Sequence, residues 1–266
     1  MGYMYQLNQI PSEAQIKKYI RRIVFGKNVF CPECHSQKVV CYENRYRCRS
    51  CRLKFSLVSH TWLKDMKIHL QKFWMILWCW TTQVPVKQSM KLCGLSEEAV
   101  RRWFDLFRMN LPEEPSVLDK IVQLDEAYFK QRTVMMAKQK GTKKLAFEVL
   151  NTANVQRHHA DYFLQQHVKP KSRLHTDGAA IYKTANHWWP VKHRFELHRK
   201  WEFELTSEIE GAFGNLRTFI RRMYHHTTPE KLSGIVREFC FRFSLPEIFN
   251  SPLNYLQKSL SLVPID

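Results

Sequence analysis

Acidic residues and long apolar runs are both scarce in this chain of 266 residues. It has 24 Asp and Glu against 42 Lys and Arg, so its formal net charge is +18 at pH 7 and its pI is about 9.7. Such an imbalance favours a polyanionic partner, most simply nucleic acid. The most apolar run, FWMILWCW, spans only residues 73–80. A membrane span needs about 20 residues, so this run predicts a core helix instead.

An export signal is also missing from the sequence. MGYMYQLNQIPSEAQ has no cationic start followed by an apolar stretch, so no signal peptide is predicted. The eight cysteines are therefore expected in a reducing compartment, as metal ligands rather than in disulfides. No internal repeat or low-complexity tract is visible. A hydrophobic content of 44% predicts a folded protein rather than a disordered one.

Four cysteines stand in two C-x2-C pairs within CPECHSQKVVCYENRYRCRSC. Each pair turns the backbone so that two thiolates face one point, and two pairs complete a tetrahedral zinc site. Closed four-thiolate sites are structural, so zinc is expected to fold this module. Cys41, between the pairs, is a weaker candidate ligand, and the remaining single cysteines are expected to be buried thiols. The predicted zinc ligands are Cys31, Cys34, Cys48 and Cys51.

The segment VPVKQSMKLCGLSEEAVRRWFDLFR at 84–108 has the proportions of a helix-turn-helix. A helix over about 86–92 is followed by a turn at Cys93 and Gly94, and Ser96 can cap a second helix. Lys91, Arg101 and Arg102 would then face outward, where they could contact phosphates or base edges. The alternative is an ordinary helical hairpin with no DNA contact.

Two aspartates follow β-type runs in the second half of the chain. Asp125 lies in KIVQLDEAYF, and Asp177 ends the run SRLHTD before Gly178. An Asp-Gly pair after a strand is often only a turn signal. Two acids on strands of one sheet can, however, converge on a divalent cation that prefers oxygen ligands.

A third acid is available in SEIEGAFGNLR, which has helical spacing. Glu210, Gly214 and Arg217 share one helix face, so Glu210 could complete a site for two metal ions about 4 Å apart. The simpler interpretation is that Glu208 and Glu210 are solvated acids near a helix N-terminus, where the helix dipole favours them.

The order of these motifs resembles that of DDE transposases of the Merlin and ISXO-type insertion-sequence group. The resemblance runs from about residue 10 to residue 244 and includes LDEAYF, HTDGAAIY, SEIEGAFGNLR and YHHTTPEKL. It implies an α/β fold, with an RNase H-like mixed sheet and flanking helices, preceded by a zinc ribbon and a helix-turn-helix. It also implies catalytic Mg²⁺ or Mn²⁺ beside the structural Zn²⁺, and cleavage and transfer of DNA strands at transposon ends.

The resemblance identifies Asp125, Asp177 and Glu210 as the catalytic, metal-binding acids, with Glu208 as the runner-up for the third. Glu126 should point to the opposite face of its strand from Asp125. Ser207 and Arg217 stand where the family often has Asn and Lys. These departures motivate the alternative of an inactive, transposase-derived DNA-binding protein.

The sequence thus predicts four segments: an N-terminal helical segment (1–30), a zinc ribbon (31–56), a helix-turn-helix domain (57–112) and an RNase H-like catalytic domain (113–266). The linker is expected at LPEEPSVLD, residues 111–119. Partners would be double-stranded DNA at transposon ends and target, and a second copy of the chain, with no membrane. The location would be the nucleoid of a bacterium or the nucleus of a eukaryote. Predicted DNA-binding residues are Lys91, Arg101, Arg102, Arg217, Arg221 and Arg222.

Overall fold

The computed structural model describes residues 10–43, 45–112, 117–196 and 205–262. It divides into two compact units, one of Met1–Pro112 with Glu247–Asp266 and the other of Glu113–Pro246. The division after Pro112 falls within the predicted linker, whose residues 113–116 lie outside the described part. The sequence prediction placed 247–266 with the catalytic domain, whereas the structure groups this segment with the first unit.

The first unit combines a small sheet with five helices among its described residues. Helix α1 begins at a capping box in which Ser12 and Gln15 satisfy each other's backbone N–H groups, and it ends at Gly26 with φ of 70°. The elements are α1 (Glu13–Phe25), β1 (Val39–Tyr42), β2 (Arg45–Cys48), β3 (Lys54–Phe55), α2 (Leu70–Thr81), α3 (Val86–Cys93), α4 (Glu97–Met109) and, after the second unit, α9 (Pro252–Ser259).

An aromatic core explains why the C-terminal segment belongs to this unit. Trp80 of α2 and Tyr255 of α9 are fully buried, with ring centroids 5.0 Å apart. The Tyr255 hydroxyl donates a 2.9 Å hydrogen bond to the backbone oxygen of Phe107 in α4. Helix α9 therefore supplies a central side chain and its polar contact to the core that α2 and α4 form.

The second unit is built around five strands. Its elements are β4 (Ile121–Phe129), β5 (Arg132–Gln139), β6 (Leu145–Leu150), α5 (Arg157–His167), β7 (Arg173–Asp177), α6 (Ala185–Trp188), β8 (Lys192–Glu196), α7 (Ser207–Tyr224) and α8 (Pro229–Ser244). A 3₁₀ turn, Ala180–Tyr182, follows β7. The β-type runs KIVQLDEAYF and SRLHTD form strands β4 and β7, as predicted.

The sheet has strand order β6-β5-β4-β7-β8. Strands β4, β5 and β6 pair antiparallel as consecutive hairpins, whereas β4, β7 and β8 run parallel. Parallel pairs require crossover connections, and helix α5 supplies the one between β6 and β7. The expected mixed sheet with flanking helices is confirmed.

The two faces of the sheet have different coverings. Val122 and Leu124 of β4, together with Leu174 of β7, belong to a buried cluster that includes Phe163 and Leu164 of α5. Because side chains alternate along a strand, the odd-numbered residues of β4 and β7 face the other way, toward α7. Helices α7 and α8 cover this second face by packing on β4, β5 and β6. Asp125 and Asp177 are on this α7 side.

Candidate active site and zinc centre

The four predicted zinc ligands converge in the structure. The Sγ atoms of Cys31, Cys34, Cys48 and Cys51 all lie within 4.8 Å of one another. Cys31 Sγ is 3.5 Å from Cys51 Sγ, and Cys34 Sγ is 3.6 Å from Cys48 Sγ. In a tetrahedral site with Zn–S bonds of about 2.3 Å, sulfur atoms are about 3.8 Å apart. The donor set and its spacing therefore fit a structural zinc ion.

The surrounding backbone favours the thiolate form of one of these cysteines, Cys48. Backbone hydrogen bonds from Cys51 and Ser50 lower the pKa of the Cys48 thiol to about 6. Cys41 is outside the cluster, because its thiol is exposed and donates to the backbone oxygen of Glu43. Cys79, Cys93 and Cys240 are buried, as predicted.

Asp125 and Asp177 occupy matching positions on adjacent parallel strands. The register pairs Ile121 with Arg173 and Gln123 with His175. Continuing that register by two residues on each strand brings Asp125 beside Asp177, on the same face of the sheet. Burial, and to a smaller extent the charges of both aspartates, raise the pKa of the neighbouring Glu126.

Backbone N–H groups orient both aspartate side chains. Asp125 Oδ1 accepts a 2.8 Å hydrogen bond from the N–H of Glu126. Asp177 Oδ1 accepts a 3.0 Å bond from the N–H of Ala179, which forms a tight Asx turn directly after β7. The turn signal in the sequence is therefore real, and it fixes the Asp177 carboxylate at the strand end.

Helix α7 is attached to the sheet at its first turn. The backbone N–H of Ile209 donates a 3.0 Å hydrogen bond to Gln123 Oε1 on β4, in addition to a 3.1 Å bond to the backbone oxygen of the N-cap residue Thr206. The next residue is Glu210, whose Oε1 accepts a 2.9 Å bond from Thr206 Oγ1. The start of α7 is thus held over the strand that contains Asp125, two residues from that acid.

Glu208 has a different set of partners. It forms a salt bridge with the buried Lys138 of β5 and accepts 3.2 Å hydrogen bonds from the backbone N–H of Gly141. Partial burial opposes its ionisation, but the contacts with Lys138 and Gly141 prevail and hold the pKa of Glu208 below its ordinary value. Glu208 is therefore bound to the β5–β6 hairpin, on the side of β4 away from β7.

Glu126 forms a contact that sequence reasoning missed. Its carboxylate accepts a hydrogen bond from the hydroxyl of Tyr182, which is fully buried in the cluster on the α5 side of the sheet. Burial is the main reason why the pKa of Glu126 rises to about 7. Alternation along β4 predicted its opposite orientation, but no sequence signal identified Tyr182 as the partner.

The three acids are more widely spaced than the thiols. Within the described ranges, the cysteine cluster is the only group of three or more Asp, Glu, His or Cys residues whose ligand atoms lie within 4.8 Å. Asp125, Asp177 and Glu210 are half-buried and offer only carboxylate oxygens, the ligands that Mg²⁺ and Mn²⁺ prefer.

The predicted DNA-binding side chains are distributed over three helices. Lys91 on α3 and Arg102 on α4 are exposed, whereas Arg101 is half-buried and forms a 2.7 Å salt bridge with Glu97. Gly94, with φ of 57°, makes the turn between these helices. On α7, Arg217, Arg221 and Arg222 are exposed, and the Arg217 guanidinium lies 5.9 Å from the ring centroid of Phe129.

Two comparisons with known families match this architecture. Residues 117–244 match the ISXO2-like transposase domain, and residues 11–54 match the transposase zinc-ribbon domain. The chain belongs to the ISXO2-like transposases. The first match covers all eight elements from β4 to α7 as well as α8, and the second covers α1 and the cysteine module of this transposase.

Other comparisons add little to this assignment. No curated protein matches the transposase by sequence. A chain in the cryo-EM structure of a simian T-cell lymphotropic virus intasome in complex with PP2A regulatory subunit B56 gamma is 9% identical. The alignment covers 63% of the transposase and 67% of that chain, with a TM-score of 0.36. No helix in the described part of the transposase is long and apolar enough to cross a membrane.

Proposed function

We propose that this transposase binds the terminal inverted repeats of its insertion sequence and catalyses DNA strand cleavage and strand transfer. Asp125, Asp177 and Glu210 would hold two Mg²⁺ or Mn²⁺ ions, which activate the attacking oxygen and stabilise the leaving oxygen in phosphoryl transfer. The observation that supports this most directly is the parallel register of β4 and β7, which pairs Gln123 with His175, two residues before Asp125 and Asp177.

The protein's own contribution is to hold the carboxylates in place. The backbone N–H groups of Glu126 and Ala179 fix the two aspartates, and Thr206 orients Glu210. Rigid carboxylates reduce the reorganisation needed when charge develops on the transferred phosphoryl group.

The contacts of Glu208 support Glu210 as the third acid. A carboxylate that is already neutralised by Lys138 would have to break this salt bridge to bind a metal ion. Within the described part of the chain, the side chain of Glu210 has the Thr206 hydroxyl as its one hydrogen-bond partner, and Glu210 lies next to Ile209, which is bonded to Gln123. The sequence left this choice open, and the geometry favours Glu210.

DNA recognition is proposed for the first unit and for the exposed arginines of α7. The α3–α4 hairpin would act as the helix-turn-helix, with Lys91 and Arg102 directed at DNA, while Arg217, Arg221 and Arg222 would hold phosphates near the acids. Arg101 is a weaker candidate, because Glu97 already neutralises it. Two DNA ends must meet one target, so a homodimer or larger assembly is expected on DNA.

The decisive experiment compares Glu210→Gln with Glu208→Gln in cleavage and joining of a duplex that carries the terminal repeat of the element. We expect Glu210→Gln to lose roughly 100-fold or more of the Mg²⁺- or Mn²⁺-dependent activity while it still binds DNA. Glu208→Gln should retain most of the activity. The opposite result would assign the role to Glu208.

An inactive DNA-binding protein is the second candidate, motivated by Ser207 and Arg217. Ser207 is the first residue of α7, and the charge of Arg217 is retained on the helix surface, so neither departure removes a carboxylate from the site. If the wild-type protein bound the terminal repeat but gave no cleavage or joining with either metal, this second candidate would replace the first.

A further inference from the structure

A cavity of about 240 Å³ opens in the second unit at the end of strand β4. Phe129, Ile220 and Leu232 form apolar walls that come from β4, α7 and α8. Three residues that can be cationic, Lys130, His225 and His226, stand at its rim. The cavity thus combines an apolar interior with a positive edge.

The side chains at the rim have no polar partner among the described residues. Within the described part of the chain, the side chains of Lys130, His225 and His226 form no hydrogen bond or ion pair. Arg217 adds a further positive charge, since its guanidinium lies over the ring of Phe129 at 5.9 Å. The charge pattern is complementary to a ligand with a flat apolar part and an anionic part.

The backbone is strained where it presents these residues. His225 has φ of 62° and ψ of −49°, and the N–H of His226 donates a 2.8 Å hydrogen bond to the backbone oxygen of Tyr224. This is the geometry of a classic γ-turn, which is rare for a side-chain-bearing residue. Lys130 also has a positive φ of 56°, which the two-residue hairpin turn between β4 and β5 requires. Strained positions of this kind concentrate at ligand-binding sites.

The cavity is aligned with the candidate active site. Phe129 lies four residues after Asp125 on β4, so the two side chains share one face of the strand. At about 3.3 Å per residue their Cα atoms are about 13 Å apart. A DNA strand with one phosphate at the acids can therefore reach the cavity with a nucleotide a short distance away.

We propose that this cavity is a subsite for the DNA strand that flanks the reacting phosphate. One nucleobase lies in the cavity against the Phe129 ring, and Lys130, Arg217 and the two histidines contact its phosphates. The proposal rests on the proposed function and adds a base-binding position to it. Stacking on an aromatic ring tolerates any base, so this subsite positions the strand rather than reading its sequence.

The test uses the full-length protein and duplexes that carry the element's terminal repeat, with 2-aminopurine placed at single positions around the cleavage site. Fluorescence and affinity are measured in Ca²⁺ to limit cleavage. We expect quenching at one or two adjacent positions in the wild type. Phe129→Leu should abolish that quenching and weaken binding on the order of tenfold. Tyr162→Leu, which removes an exposed ring on α5, is the matched control and should change neither quantity.

Further variants separate ligand binding from folding. Thr227 also lines the cavity. Thr227→Trp keeps Phe129 but fills the cavity, and it should weaken DNA binding as Phe129→Leu does, with an unchanged thermal unfolding midpoint. Lys130→Gln should reduce the slope of log affinity against log salt by about one, whereas Lys169→Gln, an exposed lysine of the same unit, should not. Equal effects of both lysine variants would overturn the phosphate contact.

The outcomes distinguish this proposal from the proposed function. If the wild type cleaves the DNA and Phe129→Leu retains both quenching and affinity, the subsite is wrong while the transposase activity stands. If the wild type neither binds nor cleaves the repeat, the proposed function fails and the subsite with it. Equal quenching by the free 2-aminopurine nucleotide would assign the cavity to a free nucleotide and overturn the strand subsite.

Discussion

Gln123 and Ile209 connect the two elements that contain the candidate acids. The Gln123 side-chain oxygen accepts a 3.0 Å hydrogen bond from the backbone N–H of Ile209, and both groups are buried. Asp125 is two residues beyond Gln123, and Glu210 immediately follows Ile209. One hydrogen bond thus connects strand β4, which contains Asp125, to helix α7, which contains Glu210.

Gln123→Leu is predicted to reduce strand cleavage more than stability. Loss of the bond leaves the buried Ile209 N–H with its 3.1 Å contact to the Thr206 backbone oxygen, so the cost is that of one hydrogen bond, about 1 kcal/mol. A shift of α7 by about 1 Å would reduce activity on the order of 100-fold. Gln139→Leu is the control, because Gln139 Oε1 also accepts a backbone N–H, from Asp119, on the same sheet. The Gln139→Leu variant should lose a similar amount of stability but keep most of its strand-cleavage activity. Equal losses of activity in the two variants would argue against a positioning role for Gln123.

Cys48→Ser is predicted to release zinc and unfold the ribbon. The wild-type protein should contain one zinc ion per chain, and a chelator should have the same effect as the substitution. Tyr46 and Phe55 of the ribbon pack on each other and on Phe25 of α1, so near-UV circular dichroism should report the loss. Cys41→Ser, outside the cluster, should keep both the zinc and the spectrum. Retention of zinc by Cys48→Ser would contradict the assigned ligand set.

Glu126 should make stability depend on pH. Burial raises its folded pKa to about 7 from an ordinary value of 4.5, so the folded state binds more protons than the unfolded state between these values. The free energy of unfolding should therefore fall as the pH rises from about 4.5 to 7, by up to about 3 kcal/mol from this group. Glu126→Gln should remove this part of the decline when thermal unfolding is compared between pH 5 and 8 without added divalent metal. Parallel curves for the two proteins would contradict the raised pKa.

Tyr255→Ala should destabilise the first unit. The substitution removes a fully buried ring that contacts Trp80 and Phe107, at a cost of about 3–5 kcal/mol. Urea unfolding followed by tryptophan fluorescence measures it, because Trp80 is in this core. Lys258→Ala, on the exposed side of the same helix, should change the unfolding free energy by less than about 0.5 kcal/mol. If both variants had equal stability, α9 would not be part of this core.

The sequence could predict features whose geometry follows from local spacing. Two C-x2-C pairs bring thiolates together through the turns that they form. The β-type runs before Asp125 and Asp177 indicated strands, and Asp177 ends β7 whereas Asp125 lies in the middle of β4. The Glu97–Arg101 salt bridge was also accessible from its i, i+4 spacing, although those arginines were interpreted as free for DNA.

Long-range packing could not be predicted in the same way. The apolar positions of α9 indicate a buried face, but they do not show which core it joins. Proximity along the chain suggested the catalytic unit, whereas the structure groups α9 with the first unit. The Tyr182–Glu126 contact spans 56 residues and depends on how the 3₁₀ turn returns beneath β4. The choice of Glu210 over Glu208 likewise required the position of Lys138.

The first unit is discontinuous along the chain, because α9 is separated from α1–α4 by the entire second unit. A ribosome therefore completes the five-stranded sheet before it adds Tyr255. Since domains fold as their residues emerge during synthesis, the catalytic unit can form while the aromatic core around Trp80 still lacks its last component. A translation product that stopped shortly after α8 would contain every candidate acid, but its cysteine and helical modules would rest on an incomplete core.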